Sequence, residues 1–259
     1  MTKVLFMGRK QVAARCLKFL LDHPSVEVVA VLTDSHLSIS PTAALAKQAA
    51  LPLYEFDAAL AAIRNGELEY DLGVSMLYWR KLRDEFLTSP DLGTVNFHPA
   101  PLPDYKGTAG YNMAIMDELV EWAVSAHYVD EEIDTGGIIE VLRFAIDPKE
   151  ETARSLESKS MPMIYSLFVE TLNRLLDAQK KLPTTINSGG IYITRPEMEA
   201  MKAIKPGDDI AKKIRAFWFP PYQGAYIEID GAKYTLVDEK MLSSLADPSV
   251  SSLQTKPSE

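Results

Sequence analysis

Apolar runs alternate with helical stripes through the first half of the chain. Residues 3–7 form a short apolar run of buried-strand type. Residues 11–21 then place Val12, Cys16, Phe19 and Leu20 at helical spacing. A second strand is predicted over 26–33, a helix near 42–50, and short strands over 53–56, 72–76 and 94–98, with helical segments between the last three. This alternation predicts an α/β fold: a Rossmann-like, doubly wound, mostly parallel sheet with helices on both faces. Residues 122–129 and 138–144 follow each other closely and predict two later strands, antiparallel to their neighbours.

Over 151–180 the positions Met163, Ile164, Leu167, Phe168, Leu172, Leu175 and Leu176 repeat with helical spacing, and Pro162 is predicted to kink or split that helix. Pro183 and the pair Gly189-Gly190 mark the exit from a first domain, taken as residues 1–183. A small α+β domain over 184–242 should hold a helix near 208–217. It should also hold a hairpin of 225–229 and 233–237, turned through Asp230-Gly231. Residues 243–259 are Ser/Pro-rich and read as a disordered tail.

Composition narrows the partners. A 259-residue chain that is 47% hydrophobic can bury a substantial core. A formal charge of −9 argues against nucleic acid or an anionic membrane as the main partner. Cys16 is the single cysteine, so no intramolecular disulfide forms; its helical neighbours make it a buried structural thiol. The first apolar run is too short for a signal peptide, and no window approaches the roughly 18 apolar residues of a membrane span. The expectation is a cytoplasmic protein.

Candidate chemistry concentrates in V-N-F-H-P-A-P-L-P-D-Y-K-G, residues 95–107. Asn96 and His98 are two apart in a predicted strand and so share one face, while Val95 and Phe97 anchor the other. Pro99, Pro101 and Pro103 end the strand and stiffen the loop behind it. An amide and an imidazole at the carboxyl end of a strand suit an oxyanion donor beside a general base. Downstream, A-V-S-A-H-Y-V-D-E-E-I-D-T-G-G puts Ser125 and His127 on one strand face ahead of an acidic loop. His98, His127, Asp130 and Asp134 lack the paired spacings of metal motifs, so no metal is expected. After the first strand the run is G-R-K-Q-V-A, which lacks two of the three glycines of the dinucleotide fingerprint; a nicotinamide cofactor is not expected, despite Asp34 near the end of the second strand.

These residues carry a family resemblance. N-F-H-P-A-P-L-P-D-Y-K-G resembles the N-x-H-P-S-L-L-P-x-Y-R-G signature of the folate-dependent formyltransferases, and H-Y-V-D-E-E-I-D-T-G-G-I-I resembles their second block. S-M-L-Y-W-R-K-L, residues 75–82, is similar to the segment that lines their folate pocket. The three lie in family order, and the resemblance spans residues 1–240. It implies a catalytic trio of Asn96, His98 and Asp134, with N10-formyltetrahydrofolate as carbon donor, leaving as tetrahydrofolate, and no metal. Backbone around Met76, Leu77, Tyr78, Trp79 and Arg80, and around Glu131, Glu132 and Ile133, would read the pteridine. Asn96 would donate to the developing oxyanion. His98 would take the amine's proton or stabilise the oxyanion as imidazolium, and Asp134 would orient His98 or hold a proton-shuttling water. Ala100 and Pro101 replace the signature's S-L, which alters loop shape rather than the trio.

The acceptor is the open variable. Residues 207–259 hold six Lys/Arg against eight Asp/Glu, a poor clamp for tRNA. The compact second unit with R-A-F-W-F-P-P-Y-Q-G is instead similar to that of sugar-nucleotide N-formyltransferases, which act on nucleotide-linked, often dTDP-linked, deoxyamino sugars for surface polysaccharide such as lipopolysaccharide O-antigen. On that resemblance Tyr105, Lys106, Gly107, Arg215, Trp218, Phe219 and Tyr222 would contact the sugar nucleotide, and the protein would be a homodimer. Methionyl-tRNA formylation and a catalytically silent folate or nucleotide-sugar binder are the alternatives.

Overall fold

The structure is a computed structural model that describes residues 1–37 and 39–245. In chain order its elements are β1 (Thr2–Gly8), α1 (Lys10–Asp22), β2 (Val26–Leu32), α2 (Pro41–Gln48), α3 (Phe56–Arg64), β3 (Leu72–Met76), α4 (Asp84–Thr88) and β4 (Thr94–His98). Then follow β5 (Tyr105–Gly107), α5 (Gly110–Met116), β6 (Glu121–Tyr128), β7 (Ile138–Ala145) and α6 (Ala153–Ala178). The remaining elements are β8 (Ile191–Ile193), α7 (Arg195–Met201), α8 (Ile210–Phe217), β9 (Tyr226–Ile229), β10 (Ala232–Thr235) and α9 (Glu239–Leu245).

The main sheet runs β2-β1-β3-β4-β6-β7; the first four strands are parallel, and β6 and β7 are antiparallel to their neighbours. Both faces are covered, which is why β1 reads as an unbroken apolar run. Val4 and Phe6 enter the core under α1 and α6, whereas Leu5 and Met7 enter the core under α3 and α4. Phe168 of α6 stands edge-on to Phe97 of β4 at 5.4 Å and to Phe19 of α1 at 5.9 Å. It ties three elements together, and its truncation to Ala should cost about 3–5 kcal/mol.

Two sequence expectations are corrected. Residues 53–56 do not form a strand: Leu53 makes a single bridge to Val31, and Phe56 opens α3. Pro162 does not split α6, which runs through it for 26 residues with the proline ring on the exposed side. A Thr152–Ser155 capping box starts that helix.

The chain beyond α6 returns to the first half. Thr185 bridges Ile138, β8 pairs in parallel with β5, and α8 packs on α5 around Ile115, Ile214 and Phe217. Hairpin β9–β10 turns at Asp230 (φ 50°) and Gly231 (φ 76°), the double left-handed pair that a two-residue turn requires. The tail beyond residue 245 lies outside the described residues. Among the described residues no helix is long and apolar enough to cross a membrane.

Candidate active site

Parity along three strands brings the polar residues together. On β3, Val74 and Met76 face the α1/α6 core, so Ser75 faces the opposite side. On β4, Val95 and Phe97 do the same and leave Asn96 and His98 beside it. The antiparallel register then sets His127 of β6 opposite Asn96, and Ser125 opposite His98. Ser125 is used structurally: its hydroxyl donates to the Ala100 carbonyl at 2.7 Å and accepts from the Leu102 amide at 2.9 Å, pinning the proline-rich loop.

The hydrogen bonds settle which atoms remain available. His127 Nδ1 lies 2.7 Å from the Tyr128 carbonyl, which only accepts, so Nδ1 carries the proton and Nε2 is a lone pair in the neutral ring. Asn96 Nδ2, 3.0 Å from that Nε2, therefore donates to it, and Asn96 Oδ1 accepts from Ser75 Oγ at 2.8 Å. One N–H of the Asn96 amide is thus spent on His127 and the second remains to donate.

His98 is held the same way. Its Nε2 is 2.9 Å from the Tyr105 carbonyl and so bears the neutral ring's proton, leaving Nδ1 as the lone pair, 3.5 Å from Asp134 Oδ2. Burial favours the neutral imidazole and lowers its pKa, against the raising effect of Asp134. Burial would raise the Asp134 carboxyl, but positive charge on His98 and His127 when those rings are protonated, together with the hydrogen bond from the Gly107 amide, outweighs it and holds its pKa at about 2. That amide donates to Asp134 Oδ2 at 2.9 Å, and His127 Nε2 stands 3.6 Å from Oδ1. A neutral base thus faces a fixed anion, so a proton arriving at Nδ1 is stabilised where it lands. Among the described residues no group of three or more His, Cys, Asp or Glu side chains is set to hold a metal ion.

A profile of the formyl transferase family matches residues 3–172. The chain belongs to that family. Among curated relatives, the methionyl-tRNA formyltransferase of Listeria monocytogenes is 28% identical over 244 residues, covering 89% of this chain and 76% of that protein. The Staphylococcus aureus (strain Newman) enzyme of the same name is 24% identical over 256 residues, covering 93% and 80%. Among solved structures, an N-formyltransferase from Helicobacter canadensis in complex with folinic acid and dTDP-3-aminofucose is 24% identical with a TM-score of 0.71, covering 90% and 86%. A 4-N formyltransferase from Francisella tularensis is 19% identical with a TM-score of 0.75, covering 92% and 97%.

In this formyl transferase Arg80, Glu131 and Glu132, from the two segments implied for the carbon donor, line one cavity of about 840 Å³ together with Phe56, Asp57, Arg64, Lys81, Leu82, Arg83 and Glu85, whereas Met76, Leu77, Tyr78, Trp79, Ile133 and the Asn96, His98 and Asp134 trio are not in its wall. Met76 is buried at the end of β3, and the Leu77 carbonyl accepts from Arg9 Nε at 2.9 Å. Tyr78 packs on the α3/α4 core, while Trp79 is exposed with the Arg9 guanidinium 5.5 Å from its ring centre. Arg80 stacks on Phe56 at 4.6 Å. Ile133 is exposed on the loop that joins this cavity to Asp134.

The residues implied for the acceptor are more dispersed. Tyr105 presents its carbonyl to His98 but turns its ring onto Trp122 and its hydroxyl to Asp117. Lys106 Nζ donates to the Gly189 carbonyl at 2.8 Å, and Gly107 serves through its amide. Trp218 lies in the core with Phe217 and Met198, whereas Tyr222 is 61% exposed with the Phe219 ring 6.1 Å away. Arg215 carries a buried Nε without a partner among the described residues. Ser75 and His127 had no assigned role in the sequence; strand parity, applied to β3 and β6 together, is the signal that could have found them.

Proposed function

We propose that this formyl transferase moves the formyl group of N10-formyltetrahydrofolate to the amine of a nucleotide-linked deoxyamino sugar, with dTDP as the carrier. The observation that carries the chemistry is the pairing of a half-buried Asn96 that keeps a free N–H with a buried, neutral His98 whose lone pair faces ionised Asp134. The free amide proton is an oxyanion donor, and His98 Nδ1 is the base that receives the proton from the attacking amine. The donor supplies an activated formyl carbon and leaves as tetrahydrofolate.

The chain's residues fit that donor. The 840 Å³ cavity falls in the range of small-molecule sites; its wall is mixed in charge, with Arg64 paired to Glu85 and Lys81 to Glu132, and Arg80 and Arg83 are the cations that suit a glutamate-bearing ligand. Carboxylates at Glu131 and Glu132 offer partners to a polar ring system, and their loop runs directly on to Asp134.

Two features support the sugar-nucleotide acceptor. The second unit, residues 184–242, carries no excess of positive charge with which to hold a tRNA, and it exposes Tyr222 beside Phe219 for stacking on a base. A protein of similar fold was solved with dTDP-3-aminofucose. The 28% identity to methionyl-tRNA formyltransferase supports the second reading, a charged initiator tRNA as acceptor. A homodimer serving surface polysaccharide synthesis completes the first reading.

Tetrahydrofolate release, followed with dTDP-, UDP- and GDP-linked amino sugars and with charged initiator tRNA, separates the readings. Turnover with a sugar nucleotide supports the proposal; turnover with tRNA alone overturns it.

A further inference from the structure

The loop that carries Asp134 is held only in part from within, where Thr135 Oγ1 and the Glu132 amide donate to Asp130 Oδ1 at 2.6 and 3.3 Å. Asp134 is in the left-handed region (φ 57°), which a non-glycine residue keeps only when its surroundings hold it. One side of the loop is jammed against β6: a Cβ on Gly136 would lie 1.9 Å from the Tyr128 carbonyl oxygen. The other side meets the segment that follows α6, where a Cβ on Gly137 would lie 2.7 Å from Thr184 Oγ1. From this segment Asn187 Nδ2 reaches the Asp134 carbonyl at 2.9 Å and the Gly136 carbonyl at 2.8 Å. Two carbonyls can only accept, so both protons of that amide are committed and its orientation is fixed.

We propose that Asn187 is a positioning residue for formyl transfer, clamping the Asp134 loop so that the carboxylate stays on His98. The same segment grips the partner loop. Lys106 Nζ donates to Gly189, the Ile191 amide donates to the Asp104 carbonyl at 2.8 Å, and β8 pairs with β5. The Gly107 amide that holds Asp134 Oδ2 and the backbone that carries Asp134 are thus fixed from one stretch of chain. Residues 185–193 complete the catalytic geometry from beyond α6, in addition to leading into the acceptor unit.

The inference rests on the reading of His98 and Asp134 as the proton-handling pair, and its test is chosen to fail separately from it. His98 is faced by Asp134 from the loop, by His127 from β6 and by the Tyr105 carbonyl; Asp134 is faced by His98, His127 and the Gly107 amide. The pKa of each histidine in the full chain is measured by NMR in wild type and in Asn187→Ala, with His98→Ala to assign the signal. A slackened loop takes the anion away from His98, so its pKa should fall. With whichever acceptor turns over, kcat should fall roughly 10- to 100-fold at an unchanged KM for the formyl donor. Asn187→Gln, which keeps the donor group, should recover part of both, and it replaces Asn187→Ala if that variant does not fold. A folded Asn187→Ala with wild-type His98 titration and wild-type kcat overturns the inference. Full turnover by His98→Ala would instead sink the proton-handling reading, while the titration would still decide the clamp.

Discussion

Asn96 Nδ2 donates to His127 Nε2 across the β4–β6 pair, and this contact decides which way the Asn96 amide points. With Oδ1 taken by Ser75 and one N–H taken by His127, the remaining N–H has a fixed direction before any substrate arrives. Such preorganisation is what lets a hydrogen bond act on charge that exists only in the transition state.

Removing that donor should therefore be costly. Asn96→Ala is expected to lower kcat by about 10²–10³, with little change in the KM of the donor. Ser75→Ala leaves the amide in place but frees it to rotate, and a smaller loss of kcat is expected. Steady-state kinetics on both variants check the order; equal and undiminished kcat would remove Asn96 from the chemistry.

His98 must be neutral to accept a proton, and burial lowers its pKa. kcat/KM should therefore rise with pH along an acid limb centred below the usual histidine value of about 6.5. Asp134→Asn takes away the anion that favours the imidazolium, so the limb should move to still lower pH while kcat falls. A pH–rate profile unchanged in position would contradict the pairing.

Asp134 also contributes to stability. Its folded pKa of about 2 lies below the ordinary carboxylate value, so the stabilisation is present above pH ~4 and is lost as pH falls through the folded value. A shift of this size corresponds to something on the order of 2 kcal/mol. Acid unfolding of wild type against Asp134→Asn, read by circular dichroism, should show the two curves converging toward pH 2.

Much of this was legible in the sequence and some was not. Period-2 alternation places Asn96 and His98 together because strand parity is a local property, and the Asp230-Gly231 turn is likewise local. Pro162 does not split the helix because its local penalty is overridden by burial of Leu156, Ile164 and Leu167 along one side of α6. Residues 53–56 mislead because a short apolar run cannot by itself distinguish one bridge plus a helix start from a strand. Asn187 left no signal at all. Its role depends on the chain returning to the sheet some fifty residues after Asp134, which only the tertiary fold reveals.

The aromatic segment of the second unit divides by burial. Trp218→Ala should destabilise the protein by about 3–5 kcal/mol because its ring fills the core. Tyr222→Ala should leave thermal stability unchanged and raise the KM for the nucleotide-linked acceptor. Thermal melts and acceptor titrations on both variants check this; an unchanged acceptor KM for Tyr222→Ala would return that ring to the surface without a role.

The central claim is formyl transfer to an amino-sugar nucleotide by the Asn96, His98 and Asp134 site. Its most direct test is mass spectrometry of the acceptor after incubation with N10-formyltetrahydrofolate and dTDP-3-aminofucose. Wild type should yield the N-formylated sugar nucleotide, and His98→Ala should yield it at least about 100-fold more slowly. Product formed only on charged initiator tRNA, or equally well by His98→Ala, would contradict the account.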